Sequence, residues 1–260
     1  MMNPLIDVHA RLVIGHRGNA AHAPENTLES FDQAVALGVD ALEFDVRLSS
    51  DHVAVVIHDP TLTRTAGRSE AVASMTAAEL ERVDVGATFT RDRGASFPFR
   101  GRGLTVPRLE TVLGRYPNIP LLIEIKVPGA RDVVAPLLES ATQGVVVASM
   151  SHGAVAPFRD GVLATGASGN DVVRLLGRML RAATPTRLPY AALCIPRWYH
   201  GIRLPVTAIA RAARRAGTVT HVWTIDDPAI AKRLWSAGVQ GIVTNDPATM
   251  LRARQELSGR

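Results

Sequence analysis

One cysteine and two lysines stand in a chain of 260 residues, and both scarcities narrow what the protein can be. With Cys194 alone, no intrachain disulfide framework and no cysteine-rich zinc site can be built. No uninterrupted apolar run reaches the length of a membrane span. The opening segment "MMNPLIDVHARLVIG" also lacks a basic stretch followed by a long apolar run and a small-residue cleavage site, so the expectation is a soluble, cytoplasmic protein. Lys126 and Lys232 are the only lysines, which leaves arginine to carry the net charge of +5. The arginines are spread through helical segments, which reads as a solvated surface and not as a nucleic-acid interface. An anionic lipid surface stays open as a peripheral partner.

The chain is rich in short β-branched or apolar runs that alternate with amphipathic stretches. Strands are predicted at 12–15, 41–48, 120–126, 144–149, 161–165, 191–196, 218–225 and 241–245. Helical periodicity falls between them, in "TLESFDQAVALG", "RLETVLGRY", "RDVVAPLLESA", "GAVAPFRD", "NDVVRLLGRMLRAA", "VTAIARAARRAG" and "PAIAKRLWSAG", and "PATMLRARQELSG" follows the last strand. Gly38, Gly217 and Gly238 sit where a left-handed cap would end a helix, and Asn26 with Glu29 reads as a capping pair opening the first one. Eight strand-helix units in order point to an α/β fold, a (β/α)₈ TIM barrel, because parallel strands need crossovers and right-handed crossovers can close the sheet. A doubly wound open sheet is the competitor. The length suits a single barrel domain over 1–260. The long interruption after strand two, about 60–105, is expected to form a small inserted subdomain capping one end, with a helix at "TAAELERV".

In such a barrel, chemistry gathers at the C-terminal ends of the strands. His16 and Arg17 follow strand one, beside a glycine that would allow close backbone approach. Glu43 and Asp45 lie two apart on strand two, so strand alternation aims both carboxylates the same way, and Glu124 and Lys126 repeat the spacing in "LLIEIK". Like charges buried together need compensation, and an oxygen-only donor set of Glu43, Asp45 and Glu124 suits Mg²⁺ or Ca²⁺. The plain alternative pairs each acid with an arginine, Arg17 and Arg47 for example. His58 ends a second apolar run, giving with His16 two imidazoles for acid/base work, and Arg17 with Lys126 would clamp a phosphate. Metal-assisted phosphoester cleavage is the chemistry these residue types fit together.

The segments "HRGNAAHAPENTLESF", "GVDALEFDVRLSSDHVAVVIHDPTLTRTA", "VPRLETVL", "IPLLIEIK", "HVWTIDDP" and "GVQGIVTNDP" closely resemble the glycerophosphodiester phosphodiesterase family. The resemblance implies a (β/α)₈ barrel with an insertion after strand two. It also implies a bound divalent metal, Ca²⁺ or Mg²⁺, and hydrolysis of a glycerophosphodiester to glycerol 3-phosphate and an alcohol. By matching motif, His16 and His58 would be the acid/base pair, Arg17 and Lys126 the substrate contacts, and Glu43, Asp45 and Glu124 the metal ligands. Trp223, in the family's Trp-Thr motif, would line the pocket, while Asn26 reads mainly as a helix cap. His22, His52, His152 and His200 read as surface residues, and His221 is undecided. Water could attack phosphorus directly, or the glycerol hydroxyl could attack first through a cyclic phosphate. The enzyme alternative is a lysophospholipase D, favoured if the apolar faces of "CIPRWYHGIRLP" and "VVRLLGRMLRAA" are exposed at the barrel mouth. The alternative from another class is a non-catalytic phosphodiester-binding barrel. Oligomeric state is not legible.

Overall fold

The computed structural model describes residues 3–141, 144–181, 183 and 186–259. Its strands in chain order are β1 (Leu12–His16), β2 (Ala41–Leu48), β3 (Ala54–Val56), β4 (Leu121–Ile125), β5 (Val145–Ala148), β6 (Ala164–Thr165), β7 (Ala192–Pro196), β8 (Trp198–Tyr199), β9 (Ile202–Arg203), β10 (Val219–Trp223) and β11 (Gly241–Thr244). Hydrogen bonding orders the main sheet β6-β5-β4-β2-β1-β11-β10-β7, with every neighbouring pair along it parallel. A parallel bridge between Gly166 and Ala192 joins the two ends, and the amide of Ala167 donates to the Ala192 carbonyl at 2.8 Å. Eight parallel strands thus form a nearly closed ring with helices outside it, a (β/α)₈ TIM barrel. β3 lies antiparallel on β2 outside the ring, and β8 pairs only with β9.

Strand alternation sorts the core into two layers. On β2, Leu42, Phe44 and Val46 pack outward against the helices, while Ala41 joins the barrel interior with Ile14, Leu122, Val146 and Val219. Glu43 and Asp45 share the parity of Ala41, so the same pleat that buries the outer apolar face carries both carboxylates inward. Asn3 and Leu5 belong to a short turn of 3₁₀ helix at Pro4–Ile6, and the buried Leu5 seals the opposite end of the interior. His221 stands inside the barrel with its Nε2 2.9 Å from the Leu5 carbonyl oxygen. The residue undecided from sequence is therefore a fully buried structural group, remote in bonding from the chemistry at the mouth.

Helices occupy the expected intervals, at Leu28–Leu37, Leu109–Arg115, Arg131–Glu139, Gly169–Leu180, Val206–Arg215, Pro228–Ser236 and Pro247–Ser258. "GAVAPFRD" is shorter than its periodicity suggested, one α-turn at His152–Val155 followed by a 3₁₀ turn. The expected helix through Ala183 ends at Leu180, and Ala182 lies outside the described residues. Gly38 ends the first helix at φ 85°, with its amide bonded to the Ala34 and Val35 carbonyls. The strand expected over 161–165 pairs only at Ala164–Thr165, because Val162 is turned to solvent and finds no ladder partner.

Asn26 is not the cap of the first helix. Thr27 holds that position and its side chain accepts from the Ser30 amide, while Glu29 accepts from Gln33 and forms no box with Asn26. Asn26 instead adopts φ 58° and donates from Nδ2 to Asp45 Oδ2 at 2.9 Å. The reason is tertiary. Two good capping types stand side by side, and the buried carboxylate takes one of them.

Between β3 and the helix Leu109–Arg115, the chain builds a small apolar cluster of its own from Ile57, Leu62, Val72, Leu80, Val83 and Val106, with Val55 of β3. The helix expected at "TAAELERV" is a single turn, Ala77–Leu80, with a capping box between Thr76 and Glu79. Val83, in the turn after Leu80, joins the same cluster. Among the described residues no helix is long and apolar enough to cross a membrane.

Candidate active site

The C-terminal ends of β1, β2 and β4 converge on a cavity of about 190 Å³. His16, Arg17, Glu43, His58, Glu124 and Lys126 form its polar wall. Leu122, Ala148, Met150, Cys194, Trp223 and Val243 form the apolar one. All but one of the catalytic and ligand residues singled out from sequence therefore line one volume, and the exception, Asp45, is buried at 1% exposure against two of the lining residues, Arg17 and Lys126.

The loop after β1 is shaped by its backbone. Arg17 and Gly18 both take positive φ, and a Cβ on Gly18 would come within 2.4 Å of Ser30 Oγ. The close approach that the glycine allows is thus to the first helix, and it fixes where His16 and Arg17 leave the strand. Arg17 Nη1 donates to Glu25 at 2.7 Å, and its Nε lies 3.1 Å from Asp45 Oδ2.

Each histidine is held through Nδ1. His16 Nδ1 lies 2.7 Å from Asn245 Oδ1, and Asn245 Nδ2 donates to Asp226 Oδ2 at 2.8 Å. The carboxylate accepts only, so it fixes the amide with its oxygen toward His16. His16 Nδ1 must then carry the proton, which leaves Nε2 facing Glu43 Oε2 at 3.9 Å. Burial pulls the His16 imidazole below its ordinary pKa and the neighbouring Arg17 charge pushes the same way. His58 Nδ1 lies 2.6 Å from Asp59 Oδ1, and Arg64 Nε donates to the other oxygen of Asp59 at 2.7 Å. Burial raises the Asp59 carboxyl, but the hydrogen bonds from Arg64 and His58 outweigh it and hold it below the usual range. Arg64 also grips Glu25, at 2.5 and 2.7 Å, so one side chain braces the partners of both Arg17 and His58.

Glu43, Asp45 and Glu124 each offer one oxygen within 4.8 Å of the others. Asp45 is compensated: burial raises its carboxyl, yet Lys126 and Arg17 more than offset that and hold it low. Lys126 Nζ lies 3.0 Å from Asp45 and 2.9 Å from Glu124. Glu43 accepts from the Arg17 amide at 3.1 Å, but burial followed by the Asp45 charge outweighs the pull of Arg17 and Lys126 and pushes its carboxyl well above the ordinary value. Three oxygen donors, one of them a buried carboxyl whose raised pKa a further positive charge would bring down, fit a hard divalent cation. The simple acid-arginine pairing holds only for Asp45 with Arg17, since Arg47 donates to the His58 carbonyl instead, at 2.7 Å.

Sequence reasoning missed Asn245, Asp226, Asp59 and Arg64. All four stood inside the motif segments, but their partners were not visible there. The remaining histidines lie outside this cavity: His22 is 3.6 Å from Asp246, and His152 is an exposed residue whose Nδ1 is 3.3 Å from Ser168 Oγ.

Known proteins share this arrangement of fold and sequence. The model of the glycerophosphoryl diester phosphodiesterase family matches residues 16–152 and 170–249. The Bacillus subtilis protein YhdW, named for a glycerophosphodiester phosphodiesterase, is 32% identical over 249 residues, covering 92% of this chain and 96% of its own. A Silicibacter pomeroyi structure named for the same activity superposes with a TM-score of 0.77 at 28% identity, over 96% of this chain and 94% of that one. An Oleispira antarctica phosphodiesterase, solved with its product sn-glycerol-3-phosphate, shares the fold at a TM-score of 0.76 and 23% identity, over 95% and 97% of the two chains. With the matched residues spanning most of the barrel and its mouth, the chain belongs to the glycerophosphoryl diester phosphodiesterase family and is an enzyme of that kind.

Proposed function

We propose that the chain hydrolyses glycerophosphodiesters to glycerol 3-phosphate and an alcohol, with His16 and His58 as the acid/base pair and a divalent cation, Mg²⁺ or Ca²⁺, held by Glu43, Asp45 and Glu124. The observation that carries the reading is the shared wiring of the two imidazoles. Each has Nδ1 committed to an oxygen acceptor, and both line the cavity that holds Glu43 and Glu124, whose oxygens lie within 4.8 Å of one from Asp45.

His16, kept neutral by burial and Arg17, suits the base. Its Nε2 takes the proton from the attacking oxygen; where that is water the diester is hydrolysed in one step, and where it is the glycerol hydroxyl a cyclic phosphate forms, which water then opens to glycerol 3-phosphate with the proton transfers reversed. As the bond from phosphorus to the alcohol oxygen breaks, His58 gives that oxygen a proton. Arg17 and Lys126 supply positive charge to the phosphate from two sides, and Trp223 with Leu122 closes the apolar wall. The cation, when bound, would polarise a phosphoryl oxygen and stabilise the added charge at phosphorus.

The cavity volume suits a glycerophosphate moiety more than an acyl chain. Lysophospholipase D activity is the second reading, favoured by one observation: Trp198 and Ile202 stand exposed just beyond β7. A human protein named Lysophospholipase D GDPD1 is 35% identical over 118 residues, 44% of this chain and 36% of its own. In that case the acyl chain would lie outside the cavity.

The test is choline release from glycerophosphocholine, with glycerol 3-phosphate as the other product, and from lysophosphatidylcholine, with acyl-glycerol 3-phosphate as the other product, by the wild type, His16→Ala and His58→Ala. The reading expects each substitution to cost about 10²–10⁴-fold in turnover. Unchanged turnover in either variant would remove that histidine from the mechanism.

A further inference from the structure

Immediately after the site strand β7, the chain makes a hairpin that buries almost nothing. Trp198 pairs with Arg203 and Tyr199 with Ile202, around a tight turn in which His200 and Gly201 both have positive φ. Trp198 is 56% exposed, Tyr199 42% and Ile202 68%. The hairpin leaves the barrel at its mouth, because Pro196, two residues before Trp198, is the ladder partner of the cavity residue Trp223.

The charge around it is one-sided. Residues 161–225 contain nine arginines and one acid, although the chain as a whole is nearly balanced. That acid, Asp171, is buried and bonded by Arg159, so it does not face the arginines as a free charge. Arg197, Arg203 and Arg233 line a hollow of about 510 Å³ between the hairpin and the helices Val206–Arg215 and Pro228–Ser236, and no carboxylate lines it. None of the three has an ion-pair partner among the described residues. The neighbouring loop does carry Asp226 and Asp227, but both are committed: Asp226 to Thr244 and Asn245, Asp227 to the amides that open the helix Pro228–Ser236.

We propose that the Trp198–Arg203 hairpin and the arginine-lined hollow behind it dock the barrel mouth onto an anionic lipid bilayer. Tryptophan and tyrosine prefer the boundary between headgroups and acyl chains, where an aromatic body is buried and a polar edge stays wet. Ile202 adds apolar surface that a nucleic acid would leave uncovered. The unpaired guanidiniums sit beside it, where lipid phosphates would lie, and guanidinium binds phosphate oxygens in a fork. Docked this way, the enzyme would take diesters at or near a membrane surface. The docking claim stands independently of which diester the cavity cleaves.

The test is flotation of the intact protein with vesicles of phosphatidylcholine alone and of phosphatidylcholine mixed with phosphatidylglycerol, for the wild type, Trp198→Ala, Ile202→Ser and Arg203→Glu. The proposal expects binding to the mixed vesicles only, weakening with added salt, and falling roughly fivefold or more in each variant. Turnover of soluble glycerophosphocholine should be the same in all four proteins, which reports folding and separates a docking failure from a failure of the catalytic reading. No flotation with anionic vesicles, or flotation equal in wild type and variants, would overturn the proposal. So would tighter binding to duplex DNA than to the vesicles, or a wild-type dimer that Trp198→Ala dissolves, since either would give the surface another occupant.

Discussion

The Asn245 side-chain oxygen meets His16 Nδ1 at 2.7 Å, and Asp226 holds the same amide from its other end. This two-step tether fixes the tautomer of the proposed base from a residue 229 positions away in sequence. Asn245→Ala should therefore leave the fold intact and lower kcat by up to about 10²-fold, less than loss of His16 itself, because the imidazole remains but loses its aim. Asn245→Asp places a carboxylate at Nδ1 and should raise the His16 pKa, moving the acidic limb of the pH–rate profile upward. A limb that stays in place would separate Asn245 from the base.

Arg64 ties Glu25 to Asp59 and so links the supports of Arg17 and His58. It lines no part of the catalytic cavity. Arg64→Ala should reduce turnover about tenfold, with Arg64→Lys recovering only part of it, since an ammonium cannot fork to two carboxylates. Steady-state kinetics on both variants check this. Full activity in Arg64→Ala would mean that each histidine holds its geometry without the brace.

Gly241 is dictated by His221, its ladder partner on the neighbouring strand β10. A Cβ at 241 would sit 2.2 Å from His221 Nδ1 and 2.8 Å from Ile14 Cδ1. Gly241→Ala should destabilise by about 3 kcal/mol, at the upper end for overpacking, because both neighbours are buried. Adding His221→Ala removes the nearer clash, so the double variant should lose less than the two single losses combined. Denaturant unfolding of the four proteins measures the coupling, and simple additivity would place the steric conflict elsewhere.

The same histidine makes stability depend on pH. Complete burial draws the His221 imidazole down to about 4 from the ordinary 6.5. A group depressed in the folded state contributes fully above its unfolded value, and that stability is lost as pH falls from 6.5 toward 4 while only the unfolded chain takes up the proton. The loss amounts to about 3 kcal/mol over that interval. His221→Gln, which keeps a donor for the Leu5 carbonyl, should show a shallower fall in unfolding free energy between pH 6.5 and 4. Identical slopes would mean that His221 is not the group responsible.

Alternation made β2 legible before the fold was known: one apolar face and two carboxylates at the same parity leave a single way to place Glu43 and Asp45. The same holds for Glu124 and Lys126 on β4. Helix ends with glycine caps were legible for the same local reason. Asn26 was misread because Asn and Thr are both good caps, and what separates them is Asp45, 19 residues further along the chain. Asn245 and Arg64 escaped because a polar residue in a loop gives no sign of which distant group it will hold. The arginine surface escaped for a different reason. Its residues are spaced along helices and a hairpin, and only the tertiary arrangement gathers Arg197, Arg203 and Arg233 around one hollow.

The account turns on Glu43, the buried carboxyl whose burial and Asp45 neighbour outweigh the charges of Arg17 and Lys126. The direct measurement is glycerol 3-phosphate release from glycerophosphocholine by metal-stripped protein, titrated with Mg²⁺ and with Ca²⁺, for the wild type and Glu43→Gln. The account predicts negligible turnover without metal, saturable recovery with at least one of the two ions, and recovery in the variant that is absent or shifted to much higher metal concentration. Full turnover in the stripped wild type, or an unchanged metal titration in Glu43→Gln, would contradict it.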